Sequence, residues 1–333
     1  MKAYIVEAYK KASRLRLVEV PEPAVGPDDV LVEVHAVGLN LLDSKVRDGE
    51  FRPILPYKPP FVAGHDVAGK VVRVGKSVSR FKVGDEVYSR PRDGRIGTFA
   101  EFIAIDEADV ALKPHNLSLE EAASIPLVGL TAWQALVERA NLRAGQKVFI
   151  QAGSGGVGTF AIQLARHLGA TIATTTSAAN AELVRQLGAQ VVIDYRKDDF
   201  EKVLRGYDVV LNSQDNATLE KSLRIVRSGG AVVSISGPPD PGFAIQKRLN
   251  PLLGLLFRLI SRRVRRAATK AGIRYSFLFM QGNGAQLAKL TELIEAGAIR
   301  AIVDRVFPFD ALNEALAYVE TGRARGKVVV RLR

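Results

Sequence analysis

The chain has 333 residues, 47 % apolar residues, no cysteine and a formal net charge of +12. That length carries a large core and predicts two domains. The missing thiols exclude disulfides, thiolate catalysis and thiolate zinc sites. No apolar stretch reaches transmembrane length. The opening Met1-Lys-Ala-Tyr-Ile-Val-Glu7 reads as a strand and not as a signal peptide, so the expected compartment is cytoplasmic.

Residues 1–118 read as mostly β. Leu31 to Val37 and Ala68 to Val74 alternate, with turns at Pro27-Asp28, Gly75-Lys76 and Val83-Gly84-Asp85. Ser118-x-x-Glu121 is a capping box that starts a helix, and a further helix is expected over 129–140. From Lys147 the pattern changes. Val148, Phe149 and Ile150 read as a buried parallel strand, and Val157 to Leu168 as a helix. Between them lie Gly153, Ser154, Gly155, Gly156, Val157 and Gly158. Gly153-x-Gly155-x-x-Gly158 has the spacing of a loop that brings backbone to a pyrophosphate at a helix N-terminus. Strands at 171–175, 191–194, 208–212 and 231–235, with helices between, extend this into an open doubly wound α/β sheet. The second strand ends in Thr174-Thr-Thr176-Ser177 with no carboxylate, so the 2′-phosphate of NADPH meets no repulsion there.

The pattern is interrupted over 238–272. From Pro241 to Thr291 there is no acidic residue and there are ten basic ones, so the excess charge is local. Asn250 and Pro251 start a helix with Leu252, Leu256, Leu259, Ile260 and Val264 on one side and Arg258, Arg262, Arg265 and Arg266 on another. The expected arrangement docks the apolar side on the protein itself and leaves the basic face solvated. Peripheral contact with an anionic membrane is the alternative. Nucleic acid is not expected, because no aromatics are interleaved with the arginines. A strand over 274–280 then forms a sheet edge, for which a homodimer is expected. A helix over 285–296, a strand at 303–307, a helix over 310–320 and a strand at 327–332 end the chain.

Three stretches resemble the medium-chain dehydrogenase/reductase superfamily. They are Gly64-His-Asp-Val-Ala-Gly69 with Phe81-x-Val-Gly-Asp85, the glycine loop, and Gly322-Arg-Ala-Arg-Gly-Lys-Val-Val-Val330. Val37-Gly-Leu-Asn40-x-x-Asp43-x-Lys45 and Leu187-Gly-Ala-x-x-Val-Ile-Asp194-Tyr195 resemble its zinc-independent branch of quinone oxidoreductases and 2-alkenal (enone) reductases. Zinc-dependent members would carry cysteine where Asn40 stands and a four-cysteine lobe near 90–97. The resemblance implies a GroES-like β-rich catalytic domain of residues 1–120 completed by 298–333, and a Rossmann domain over 121–297. It implies a site in the cleft between them.

The implied activity is NADPH-dependent reduction of a quinone or of the C=C bond of an enone. Asn40, Asp43, Lys45 and Tyr57 are the catalytic candidates. The bland readings are an exposed ion pair for Asp43 and Lys45, and packing for Tyr57. The cofactor candidates are the glycine loop, Thr176, Ser177, Tyr195, Asn212 and Arg323, the last of which reads equally as a solvated charge. No metal is expected, since His65 with Asp66 is half a ligand set at most. The alternative from another class is a binding protein that uses its basic segment on membranes or nucleic acid.

Overall fold

A computed structural model describes residues 1–55 and 57–333. It divides into two compact units, Met1–Leu130 with Gln281–Arg333, and Thr131–Met280. The expected boundaries at 120 and 298 therefore move. The helix Gly284–Glu295 belongs to the first unit, because it packs on the short strand Val110–Leu112. The Tyr88 hydroxyl donates to Leu287 O at 2.8 Å and the Asn116 amide to Ile294 O at 3.0 Å, which bind that helix to the β unit. Periodicity predicts the helix but not the sheet that receives it.

The first unit is built on the long strand Asp29–Leu39. Val67–Val74, Phe102–Asp106 and Lys327–Arg331 all pair with it antiparallel. Val30, Val32, Val34, Val37 and Leu39 are buried in one cluster with Val67, Val71, Ile103, Ile105, Val328 and Val330. The chain end returns as expected. Val303–Pro308 lies parallel to Lys327–Arg331, and Val328 stands opposite Leu39. That register sets Lys327 beside Asn40.

The loop that follows Glu86–Ser89 is short and fastened by charge. Arg90 is fully buried and donates to Asp93 at 2.7 Å and to Pro91 O at 3.0 Å. Arg92 is bound to Asp109 and Asp106, and Arg95 makes a two-pronged pair with Asp29 at 2.7 and 2.8 Å. Such forked pairs fix geometry as well as energy.

The second unit is a six-stranded, all-parallel sheet. Its order is Val191–Asp194, Thr171–Thr176, Lys147–Ile150, Tyr207–Asn212, Val226–Ser234, Arg274–Phe277. Numbered along the chain this is 3-2-1-4-5-6, the doubly wound order with its switch between the first and fourth strands. Phe149, Val210, Val232, Phe200 and Leu223 fill one side, with the rings of Phe149 and Phe200 4.8 Å apart. Arg274–Phe277 is the edge, shorter than the predicted 274–280.

The basic segment departs from expectation. It forms three short helices, Pro241–Gln246, Pro251–Ile260 and Arg262–Lys270. The predicted single helix breaks at Ser261, whose hydroxyl donates back to Phe257 O at 2.5 Å. Its apolar side is not docked on the protein. Leu252, Leu256, Leu259 and Ile260 are exposed, and of the expected stripe only Val264 is buried. Phe257 takes the inward position instead, with its ring 5.9 Å from that of Phe243. No described helix is long and apolar enough to cross a membrane.

Candidate active site

In the first unit a buried polar cluster forms where strand 29–39 runs into the helix Leu41–Asp48. Asn40 is the N-cap, and its N–H donates to the Asp43 carboxylate at 2.7 Å. The other Asp43 oxygen lies 2.6 Å from His65 Nδ1. The Asn40 amide nitrogen donates to Asp66 at 2.9 Å and to Gly38 O at 3.3 Å, and its oxygen accepts from Lys327 Nζ at 2.5 Å. Lys327 also donates to Leu39 O at 2.7 Å and to Asp66 at 3.2 Å. The Leu127 N–H completes the Asp66 carboxylate at 2.8 Å. All five side chains are buried. Burial pushes the Asp66 carboxyl up from its ordinary value, while the Lys327 ammonium and the Asn40 amide pull the other way. His65 Nε2 is buried and has no partner among the described residues.

The cluster brings Asn40 and Asp43 together and leaves the other two catalytic candidates outside. Lys45 sits on the helix with its side chain 41 % exposed, and its nearest carboxylate, Glu50, is 3.8 Å away. Tyr57 lies against Phe61, ring centroids 5.2 Å apart, and its carbonyl accepts from the Tyr9 hydroxyl. The Tyr57 hydroxyl accepts from the Gly94 N–H at 3.1 Å. Burial pushes its phenol up to about 12. The phenol therefore stays protonated at neutral pH and offers a donor. Asp66, read from the sequence only as half of a metal-ligand set, is instead a partner of Asn40 and Lys327. Lys327 is not singled out by the sequence beyond its place in a stretch that resembles the family.

In the second unit the glycine loop lies at the switch point. The strand Lys147–Ile150 leads through it into the helix Gly156–His167, with Gly155 as N-cap. A Cβ at Gly153 would lie 2.1 Å from Thr174 Oγ1, and one at Gly158 2.3 Å from Ala152 O. At Gly155 the nearest such atom is Ala152 O at 3.4 Å, so its Cα is open to approach. Two glycines thus close the strand–helix packing and one leaves backbone accessible, which fits a pyrophosphate. Ser154 Oγ accepts from Thr176 at 2.9 Å and from Asn180 at 3.2 Å. Ser177 follows on the rim, and Asp194 stands in register with Thr176. This puts Tyr195 and Arg196 beside the end of the second strand, with the Arg196 guanidinium 5.7 Å from the Tyr195 ring. Arg196 was missed as a cation near this strand end, because it follows the third strand in sequence. Asn212 ends the fourth strand, and its amide nitrogen donates to Ser234 and Ser236 at 2.8 and 3.2 Å. The side-chain oxygens of Asn212 and Asn180 are buried and unpartnered among the described residues. Arg323 is exposed and lies in the first unit, in the turn after the helix Leu312–Glu320. Among the described residues no three His, Asp or Glu side chains form a metal-ligating group.

These two units define a class, a GroES-like β unit joined to a Rossmann unit. Residues 26–115 match the alcohol dehydrogenase GroES-like domain family and residues 187–330 the zinc-binding dehydrogenase family. The chain is 37 % identical to the 2-methylene-furan-3-one reductase of Solanum lycopersicum and 36 % identical to the chloroplastic NADPH-dependent alkenal/one oxidoreductase of Arabidopsis thaliana. Each similarity covers 99 % of this chain and 79 % of the relative. The quinone oxidoreductase of Coxiella burnetii superposes with a TM-score of 0.87 at 30 % identity, covering 100 % of this chain and 99 % of that one. The chain belongs to the medium-chain dehydrogenase/reductase family, in its quinone oxidoreductase and enone reductase branch.

Proposed function

We propose that the protein is an NADPH-dependent reductase of quinones or of the C=C bond of α,β-unsaturated carbonyls, working without zinc. The observation that carries this reading is the switch-point glycine loop in a chain more than a third identical to an NADPH-dependent alkenal/one oxidoreductase. NADPH, when bound, supplies the hydride. Gly153, Ser154, Gly155, Gly156, Val157 and Gly158 would hold its pyrophosphate, and Asn212 ends the neighbouring strand on the same edge of the sheet. Thr176, Ser177, Tyr195 and Arg196 favour a 2′-phosphate through hydroxyls and positive charge.

An enone or quinone oxygen gains negative charge as it is reduced, and donors must meet it. The Asn40 donors are spent inside the fold, so Asn40 and Asp43 act as positioning residues that hold the start of helix 41–48. Lys45, weakly paired, and the protonated Tyr57 phenol are the donors that remain for that oxygen. The zinc-free reading is supported by the absence of cysteine and by Asp43, which occupies His65 Nδ1. A homodimer through the edge strand Arg274–Phe277 completes the proposal, since that strand has a partner on one side only among the described residues. The cysteine-free composition is compatible with a cytoplasmic setting.

The test is absorbance at 340 nm with NADPH or NADH against a quinone panel and an enone panel, with and without a chelator. NADPH should be consumed with one panel, NADH far more slowly, and the chelator should change nothing. Tyr57→Phe and Lys45→Met should each lower kcat by roughly tenfold to a hundredfold. NADPH binding without turnover of either panel would overturn the reading.

A further inference from the structure

The helix Pro251–Ile260 is anchored from behind. Phe257 is buried against Phe243, and in the next helix Val264 and Ala268 enter the core of the second unit. This fixes which way the rest of the helix faces. Leu252 is 75 % exposed, Leu255 54 %, Leu256 47 %, Leu259 57 % and Ile260 49 %. At 100° per residue these five positions span an arc of about 140°, so they form one continuous apolar face. The helix Pro241–Gln246, packed alongside, exposes Ile245 as well.

Around this face the charge has one sign. Arg258 flanks the apolar arc, and Arg262, Arg263, Arg265 and Arg266 follow directly. Arg263 pairs with Glu220. Arg258, Arg262 and Arg266 are exposed and have no carboxylate partner among the described residues. No acidic residue occurs from Pro241 to Thr291 to neutralise them. Leucines pointing outward beside unpaired arginines need a surface that is apolar within and anionic at its rim. A second copy would bring the same positive charges face to face. A nucleic acid would leave the leucines without a role.

We propose that residues 245–266 dock the protein on an anionic phospholipid bilayer. Leu252, Leu255, Leu256, Leu259 and Ile260 enter the headgroup and upper acyl region, while Arg258, Arg262 and Arg266 lie on lipid phosphates. The association is peripheral and reversible.

The full chain is sedimented with vesicles of phosphatidylcholine alone and of phosphatidylcholine with about a third phosphatidylglycerol, at low and at high salt. It should partition onto the anionic vesicles at low salt, bind the neutral ones weakly, and be partly released by high salt. The triple variant Leu255→Ser/Leu256→Ser/Leu259→Ser should lose at least roughly tenfold in partition with its charge unchanged. Arg258→Gln/Arg262→Gln/Arg266→Gln should lose roughly a hundredfold. Both variants should keep the parent circular dichroism and unfold within about 1 kcal/mol of the parent, since none of these side chains is buried. Three results would overturn the proposal. One is no partition of the parent at low salt. Another is partition indifferent to the leucine variant, as when a single-stranded RNA competes the protein off the vesicles and binds that variant unchanged. The third is a leucine variant that light scattering shows has turned a dimer into a monomer, with no vesicle binding by the parent.

Discussion

Arginine does opposite work in two parts of this molecule. In the loop 90–95 of the first unit every arginine has a carboxylate, Arg90 with Asp93, Arg92 with Asp106 and Asp109, and Arg95 with Asp29. In the helices 251–270 of the second unit, Arg258, Arg262 and Arg266 have none among the described residues. The difference lies in the acids nearby. Asp29, Asp93, Asp106 and Asp109 surround the first group, and the second lies in the acid-free stretch from Pro241 to Thr291. Paired arginines act as architecture, holding a short loop where zinc-dependent relatives are expected to carry a metal lobe. Unpaired arginines keep their charge for something outside the chain. Net charge alone, read over the whole protein, merges the two.

The largest effect is expected where pairing and burial are most complete. Lys327 is buried against Asn40, Leu39 and Asp66, and Asp66 is itself fully buried. Lys327→Met removes the cation and leaves a buried carboxyl with no counter-charge. It should destabilise the protein by about 3–5 kcal/mol in urea unfolding. The double variant Lys327→Met/Asp66→Asn should recover part of that loss, because the uncompensated charge goes with it. No recovery would mean that the ammonium matters through packing alone.

A smaller effect is expected at the rim of the same unit. The Arg95 guanidinium holds the Asp29 carboxyl below its usual range, against the opposing effect of burial, and the Gly26 N–H adds to the lowering. Arg95 is 39 % exposed, so the pair is worth about 1 kcal/mol. A carboxyl with a depressed folded pKa contributes stability above its unfolded pKa and loses it as pH falls through the folded value. The stability difference between parent and Asp29→Asn should therefore be level above about pH 5 and should shrink as pH falls below about 4. A difference that grows on acidification would reverse the assignment.

How much of this was open to reading from the residues depends on how far apart the partners are. The parallel half is legible because each strand and its helix are neighbours in sequence, and glycines close two of the helices at 169 and 188. The glycine loop is legible for the same reason. Lys327 is not, because it meets Asp66 across 261 residues, through a register that only the assembled sheet fixes. Arg196 escapes notice because strand order places it next to a strand that precedes it by one whole unit of strand and helix. The leucine face fails differently. Its periodicity announces an amphipathic helix, and the usual inference puts the apolar side inward. Phe257 had already taken the inward position, a choice between two apolar faces of one helix that periodicity alone does not make.

The smallest expected effect on stability is also the sharpest test of the comparison. Arg258→Gln/Arg262→Gln/Arg266→Gln removes three positive charges that no carboxylate answers, from exposed positions with no hydrogen-bonded counter-ion to orphan. Surface substitutions of this kind fall within about 0.5 kcal/mol of the parent. Relief of mutual repulsion among neighbouring arginines should put the change on the stabilising side, more so at low ionic strength, where screening is weak. Urea unfolding at two salt concentrations checks both statements. A loss of more than about 1 kcal/mol would show that these arginines hold the fold together as Arg90 and Arg95 do, and the contrast between the two regions would collapse.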